Sequence, residues 1–303
     1  MTKLINIEDL TNPGDKFCKE LENGNILFFS KPPFDFPQKE LDFLLAQKQS
    51  GAGNRKNIAY KPQSNKITNF VKDSDAQEAE LLEIMRNYSV RVTTFLSYLL
   101  SPYATKWKLD YASFRPFQEK GRKLRIRARN DLLHVDSFPS RPMHGGRILR
   151  FFTNINPTDK RHWMTTDGFA DLAKQFGGNK VPFPKQKNPL VSQSMKAAKA
   201  MGIPFTLRSP YDLFMLNLHN FLKENEDFQK NCKKDYWEFP PNCCWAVFTD
   251  QVSHAATAGQ YALEQTIIVP KNALIEPEKS PIGVLEKITG YSMVEPVFCG
   301  NSV

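Results

Sequence analysis

Long apolar runs are absent from this chain. The best stretch, Phe95 to Leu100, is far too short to cross a bilayer. The opening residues, Met1 to Leu10, lack the apolar core of a secretory leader. Paired cysteines are missing too. Cys18, Cys232, Cys243, Cys244 and Cys299 are five, with no Cys-x-x-Cys among them. Adjacent Cys243 and Cys244 are poorly placed to bridge each other, and Cys232 has no partner at zinc-ligand spacing. A disulfide scaffold and a zinc ribbon are thereby excluded, and the pattern fits a reducing compartment. No zinc-finger spacing, aromatic RNA-binding segment or basic helix is present, which argues against nucleic acid. Internal repeats and low-complexity tails are also lacking. These absences predict a cytoplasmic protein that touches a membrane, if at all, only at the surface of its inner face.

What the chain does have is positive charge. Lys+Arg 41 against Asp+Glu 32 leave +9, which favours an anionic partner such as an acidic or phosphorylated glycolipid or an anionic membrane surface. Its 303 residues can bury a large core, as one catalytic domain with elaborations.

The most informative motif is His134-Val135-Asp136, with a distant His254 in Phe248-Thr249-Asp250-Gln251-Val252-Ser253-His254. A His-x-Asp pair with a remote second His is the pattern of a 2-His-1-carboxylate facial triad, which holds Fe(II) by one face and leaves the other open. Residues i and i+2 of an extended segment project to the same side, so His134 and Asp136 can chelate one ion. With five His and 32 acids in the chain, such a pair arises easily by chance, so its surroundings carry the argument. Leu132 to Phe138 reads as a strand, followed by a Pro/Gly-rich turn through Pro139, Pro142, Gly145 and Gly146. A second strand, Arg147 to Asn156, follows and ends at Pro157; strand, loop and strand predict a hairpin. Cys244 to Phe248, a turn, His254, and Ala262 to Val269 make a second β-rich block. Two such blocks predict a double-stranded β-helix, the jelly-roll or cupin-like fold.

A 2-oxoglutarate co-substrate needs a cation for its far carboxylate, best a bidentate Arg. Leu263 to Thr266, after the distal His, offer no base. Strand alternation puts Arg150, Phe152 and Asn154 on one face and Arg147, Leu149 and Phe151 on the other. Arg150, set in an apolar run where an unpaired charge is costly, is the first choice for that carboxylate, with Asn154 lining the same face; a structural ion pair with an acid is the alternative. Arg115, in Ser113-Phe114-Arg115-Pro116, suits the co-substrate or an anionic substrate. Arg141, Arg147 and Arg161 are candidates for substrate carboxylate or phosphate, and Trp163 for a sugar platform or a core position. His144, in the loop after the metal pair, could approach the site, and His219 reads as a packing or surface histidine.

Residues 1–110 read as an α+β lead-in packed on the core. It contains a strand at Ile26 to Phe29 and a helix opened by a capping box at Ser74 to Gln77. The stripe Leu81, Met85, Tyr88, Val92, Phe95, Leu96 and Leu99 keeps helical period until Pro102. Residues 111–294 read as the oxygenase core. Residues 158–240 read as a long insertion between the ligand-bearing blocks, with a helix from Tyr211 to Phe228 and loops rich in Pro and Lys, and 295–303 as a tail. Lys120, Arg122, Lys123, Arg125, Arg127 and Arg129 make a basic stretch that reads as a solvated loop or as a receiver of an anionic substrate. The fold class is thus α+β, a double-stranded β-helix core with an N-terminal helical region.

Several segments together resemble the Kdo (3-deoxy-D-manno-oct-2-ulosonic acid) hydroxylase family of Fe(II)/2-oxoglutarate-dependent oxygenases. They are Ser113-Phe114-Arg115-Pro116, Leu133 to Pro142, Gly146 to Phe152 with Asn154 to Pro157, Arg161-His162-Trp163, Arg208 to Asp212, Phe248 to His254 with Ala262 to Thr266, and Val284 to Val294. The resemblance spans nearly the whole chain. It implies hydroxylation of a Kdo residue at C3 in the glycolipid Kdo-lipid A, with release of succinate and CO2. It also implies Fe(II), 2-oxoglutarate and O2 as cofactor and co-substrates, His134, Asp136 and His254 as iron ligands, and Arg115 and Arg150 as anion-binding arginines. Two rival readings follow from the residues alone. One is a 2-oxoglutarate oxygenase of another substrate class, such as a peptidyl hydroxylase. The other is a non-catalytic jelly-roll that binds anionic glycans.

Overall fold

The computed structural model describes residues 2–47, 57–185, 201 and 206–294. The expected tail at 295–303, Cys299, and part of the Pro/Lys-rich loops expected before residue 206 lie outside them.

Eleven strands are found among the described residues: β1 (Leu4–Asn6), β2 (Ile26–Phe29), β3 (Ile58–Lys61), β4 (Lys66–Thr68), β5 (Lys108–Arg115), β6 (Arg147–Asn154), β7 (Arg161–Gly168), β8 (Asp235–Phe239), β9 (Cys244–Phe248), β10 (Val252–Ala258) and β11 (Ala262–Val269). Eight form one sheet in the order β1-β2-β9-β6-β11-β5-β3-β4, and three form a second in the order β10-β7-β8. Between β9 and β11 the chain steps to the smaller sheet for β10 and returns, so strands adjacent in sequence face each other across the interior. This is a double-stranded β-helix, as expected. Phe152 of β6 and Trp245 of β9 meet Trp163 of β7 between the sheets, with ring centroids 4.9 and 5.5 Å from that of Trp163.

The outer face of the large sheet is covered by helices, chiefly Asp75–Leu99. Ser74 caps its N-terminus, accepting a hydrogen bond from the Gln77 N–H at 3.1 Å. Leu81, Met85, Tyr88, Val92, Leu96 and Leu99 are fully buried along one stripe, each contributing on the order of 2 kcal/mol by leaving water. Leu149 and Phe151 of β6 point into this layer, whereas Arg150 and Phe152 point inward. A second group of helices, Phe169–Phe176, Pro210–Glu224 and Pro281–Thr289, builds a separate apolar cluster beside the smaller sheet.

Three local expectations need correction. The His134 block and β6 do not form a hairpin. His134 bridges to His254 beside the smaller sheet, while β6 lies in the large sheet between β9 and β11. The turn between them is built for crossing, not for a hairpin: a Cβ on Gly145 (φ +87°) would come within 2.6 Å of Ile282, and one on Gly146 within 2.8 Å of Ile268. The stretch 158–240 is not wholly an insertion, because it carries β7 and β8, two of the three strands of the smaller sheet. The helix expected over Tyr211–Phe228 is two helices, Pro210–Glu224 and Glu226–Asn231. Asn225 leaves helical geometry between them, and its side chain caps the second by accepting from the Phe228 N–H at 3.1 Å. The N-terminal stretch supplies β1 to β4, which extend the large sheet at both edges.

Candidate metal centre

Alternation along Leu133-His134-Val135-Asp136 places the metal-ligating pair. Leu133 and Val135 are fully buried in the helical cluster, and His134 and Asp136, which alternate with them, turn the other way, into the interior cavity. The segment is held by backbone hydrogen bonds: His134 N–H to His254 O (3.1 Å), His254 N–H to His134 O (2.9 Å), and Asp136 N–H to Thr249 O (2.8 Å). One short antiparallel bridge thus brings together ligands far apart in the chain. Ligand atoms from His134, Asp136 and His254 lie within 4.8 Å of one another, and all three side chains are buried.

The donor set fits a divalent cation. Each histidine of the triad has Nδ1 against the backbone carbonyl two residues before it, Leu132 O at 2.7 Å and Val252 O at 2.9 Å. That contact places the ring proton on Nδ1 and leaves the Nε2 lone pair for a metal. Burial pushes both imidazoles below the usual value, keeping them neutral as ligands must be; Lys223 adds to this at His134, while Asp136 opposes it at both. At Asp136 burial works against the charge. Arg150, with His134 and His254, outweighs it and holds the carboxyl well below the usual carboxylate range. Asp136 Oδ2 is buried and takes no aligned hydrogen bond. Arg150 Nε lies 3.2 Å away as a charge contact.

The triad forms part of the wall of a cavity of about 250 Å³ between the sheets. Arg115, Arg150, Arg161, Arg141 and Trp163 also line it, which gathers most of the residues expected from the sequence. Both readings of Arg150 apply: it faces the cavity and is ion-paired, to Asp136 and to Glu264 (3.3 Å). Arg115 donates to Glu264 from Nη2 (2.7 Å) and to Glu119 from Nη1 (3.3 Å). Arg161 is buried against Glu119 (3.5 Å) and the Gly259 carbonyl (3.4 Å), and burial lowers its pKa to about 10. Arg141 stacks on Tyr111 and Phe138, 3.9 and 4.4 Å from their centroids, and pairs with Asp110 at 3.3 Å. Trp163 stacks on the His254 ring at 5.0 Å.

Two expected site residues lie elsewhere. Asn154 is fully buried, but its amide donates to the carbonyls of Asp159, Phe239 and Pro240 and its oxygen accepts from Asn156 N–H. It pins the end of β6 and does not line the cavity. Arg147 is fully buried on the opposite face of β6, where it donates to Asp250 (2.8 Å) and lies over the Phe248 ring at 3.9 Å. It does not reach the cavity either. His144 pairs with Asp212 at 3.2 Å, outside the triad.

Three cavity or near-cavity residues, Glu264, Glu119 and Lys223, were not singled out from the sequence, and a fourth, His219, was read as a packing or surface histidine. Glu264 sits between Arg115 and Arg150, and Glu119 between Arg115 and Arg161. Burial opposes ionisation of each, but the arginines outweigh it and hold both below the usual value. Glu264 was open to the reasoning used for Arg150: an ionisable residue in the apolar strand Ala262–Val269, alternating with outward Leu263 and Ile267. His219 lines the cavity. Its ring is 4.9 Å from that of His134, edge to face, and its Nδ1 is 2.8 Å from Val135 O. One helical turn on, Lys223 also lines the cavity and donates to Arg127 O at 3.2 Å. Both fall near the buried stripe of Pro210–Glu224, where periodicity hides polar residues among packing ones.

A buried 2-His-1-carboxylate triad inside a double-stranded β-helix defines the class of mononuclear non-haem iron oxygenases. Sequence and structure comparisons narrow that class. The family model for 3-deoxy-D-manno-oct-2-ulosonic acid (Kdo) hydroxylase matches residues 5–292. The chain therefore belongs to the Kdo hydroxylase family. The apo structure of the Kdo hydroxylase KdoO, a non-haem Fe(II) α-ketoglutarate-dependent dioxygenase, is 34% identical, with a TM-score of 0.82 over 97% of this chain and 99% of that one. The KdoO complex with α-ketoglutarate and Fe(III) is 33% identical, with a TM-score of 0.81 over 98% and 99%. The succinate and Fe(III) complex is 34% identical, with a TM-score of 0.81 over 98% of each. No curated protein sequence matches the chain.

Proposed function

We infer that this protein is an Fe(II)/2-oxoglutarate-dependent dioxygenase that hydroxylates C3 of a Kdo residue in Kdo-lipid A, in the cytoplasm and in peripheral contact with the inner membrane. The observation that carries this reading is the buried convergence of His134, Asp136 and His254 on an arginine-lined cavity, in a chain of the Kdo hydroxylase family. Among the described residues no helix is long and apolar enough to cross a membrane.

Iron(II) with 2-oxoglutarate and O2 supplies the oxidation that turns a substrate C–H into C–OH while 2-oxoglutarate leaves as succinate and CO2. The chain supplies position and environment. His134 and His254, fixed through Nδ1, and Asp136, kept ionised beside Arg150, would hold the Fe(II) ion. Arg150 and Arg115 receive the far carboxylate of 2-oxoglutarate. Glu264 bridges them and spaces the two guanidinium groups, so the incoming carboxylate shares them with it. Trp163, stacked on His254, keeps water from that side of the ligand shell. Arg141, held over Tyr111 and Phe138, and the deeper Arg161 meet the acidic sugar.

The test is anaerobic Fe(II) loading followed by succinate release with 2-oxoglutarate and O2, with and without Kdo-lipid A, the glycolipid being read by mass spectrometry. One added oxygen on Kdo with matching succinate is the expected result. Succinate without modified glycolipid would retain the oxygenase and reject the acceptor. No turnover from fully metallated protein would reject both.

A further inference from the structure

The mouth of the cavity carries a basic segment that the chemistry above does not use. Between Glu119, whose N–H is fixed to Gly259 O (3.1 Å), and Asn130, whose carbonyl accepts from Ala256 N–H (2.8 Å), the chain runs irregularly over the surface, with one short turn at Ile126–Ala128. Its flanks are anchored and its middle is open. Arg122 pairs with Glu119, Arg127 with Glu224 and Arg129 with Asp131. Lys123 and Arg125 are exposed, and among the described residues neither has an acid within ion-pair distance. Between and beside them lie Leu124, half-buried, and Ile126, a branched apolar side chain left 41% exposed. Arg127 and Asn130, next along the same segment, line the cavity.

Unanswered cations beside an outward apolar side chain, here Ile126, are the composition of a membrane-surface contact. The cations meet lipid phosphates while the apolar groups reach the acyl boundary. Nucleic acid fits less well: the segment has only one turn of 3₁₀ helix, no aromatic stacking platform and no groove-sized helix. We propose that Lys123, Arg125 and Ile126 dock the protein on an anionic phospholipid bilayer, setting the cavity mouth against the headgroup layer. The purpose of such docking rests on the glycolipid reading above, because a lipid-borne sugar acid reaches the iron only if the mouth faces the surface it projects from. The docking itself does not depend on that reading and is measured without the glycolipid.

The experiment is flotation of the full-length protein with vesicles of phosphatidylcholine alone and of phosphatidylcholine with phosphatidylglycerol. Binding to the phosphatidylglycerol vesicles only, weakening as salt rises, is expected. Each basic residue near such a surface contributes roughly fivefold to partitioning, so Lys123→Gln with Arg125→Gln weakens binding on the order of 30-fold. Ile126→Asn weakens it at unchanged charge. With a water-soluble Kdo acceptor the double variant keeps the parent's turnover, whereas with acceptor embedded in vesicles it loses turnover in step with binding. Vesicle binding equal in parent and double variant overturns the proposal, as does loss of duplex nucleic-acid binding, but not vesicle binding, in the double variant. Normal docking by a protein that never modifies Kdo would overturn the function and leave the docking surface standing.

Discussion

Asp136 Oδ2 and Arg150 Nε lie 3.2 Å apart, both side chains buried, where the candidate metal triad meets the arginines of the cavity. One guanidinium therefore serves two acids, since its other end reaches Glu264. It keeps Asp136, a candidate metal ligand, ionised in a site whose burial pushes the other way, and it faces the cavity.

Arg150→Ala should raise the KM for 2-oxoglutarate steeply and weaken metal binding. It should also change how stability depends on pH. A carboxylate whose folded pKa is depressed stabilises the fold above its unfolded value, near 3.8 for Asp and 4.5 for Glu, and that contribution is lost as pH falls through the lower folded value. The Tm gap between metal-free parent and variant should be full near neutrality and close at pH values below these. A gap unchanged in acid would mean that Arg150 stabilises by packing instead.

Asp136→Ala should abolish hydroxylation and lower bound iron well below one per chain, read by metal analysis of anaerobically loaded protein. Asp136→Glu is the milder test, because a longer carboxylate can still reach the ion. An alanine variant with substantial turnover would remove Asp136 from the triad.

Arg147→Ala is expected to act on stability alone. It leaves Asp250 buried without its partner and removes the cation from the Phe248 ring, at a cost of about 3–5 kcal/mol in urea unfolding. Under conditions where the variant stays folded, its KM for 2-oxoglutarate should match the parent's. A selective rise in that KM would put Arg147 in contact with the co-substrate after all.

His219→Ala should weaken metal affinity on the order of 10-fold while leaving all three ligands in place. Its imidazole fixes the Val135 carbonyl, between the two chelating residues, and backs the His134 ring. Competitive chelator titration reads the change, and affinity equal to the parent's would reduce His219 to a wall residue.

The convergence of the candidate metal triad was legible in the sequence because a periodicity and a β-rich setting agreed. Period two put His134 and Asp136 together, and the β-rich setting of His254 supplied the third ligand. The long helix was legible for the same reason, with Ser74 marking its start. The pairing of the His134 segment was not. Local pattern predicts a hairpin wherever strand, turn and strand follow in order, and only contacts between distant residues decide that the segment joins β10 instead. Arg147 and Asn154 were expected at the site, but neither lines the cavity. Alternation correctly set Arg147 on the outer face, away from Arg150, where Asp250 answers its charge. Asn154 faces inward but lies beyond the cavity, at the strand end, where its amide serves three carbonyls. The roles of Glu264 and Glu119 were not legible, because an acid that holds a buried arginine in place carries no local pattern of its own.

The bridge between His134 and His254 also has a consequence for biogenesis. During synthesis the first two ligands leave the ribosome well before the third, and the strand that carries the third closes against them only after the intervening strands and helices have been made. Joining segments so far apart in the chain is entropically costly until the sheets are in place. A half-made chain therefore holds no complete triad. Oxidising chemistry becomes available only once the walls that confine it are built.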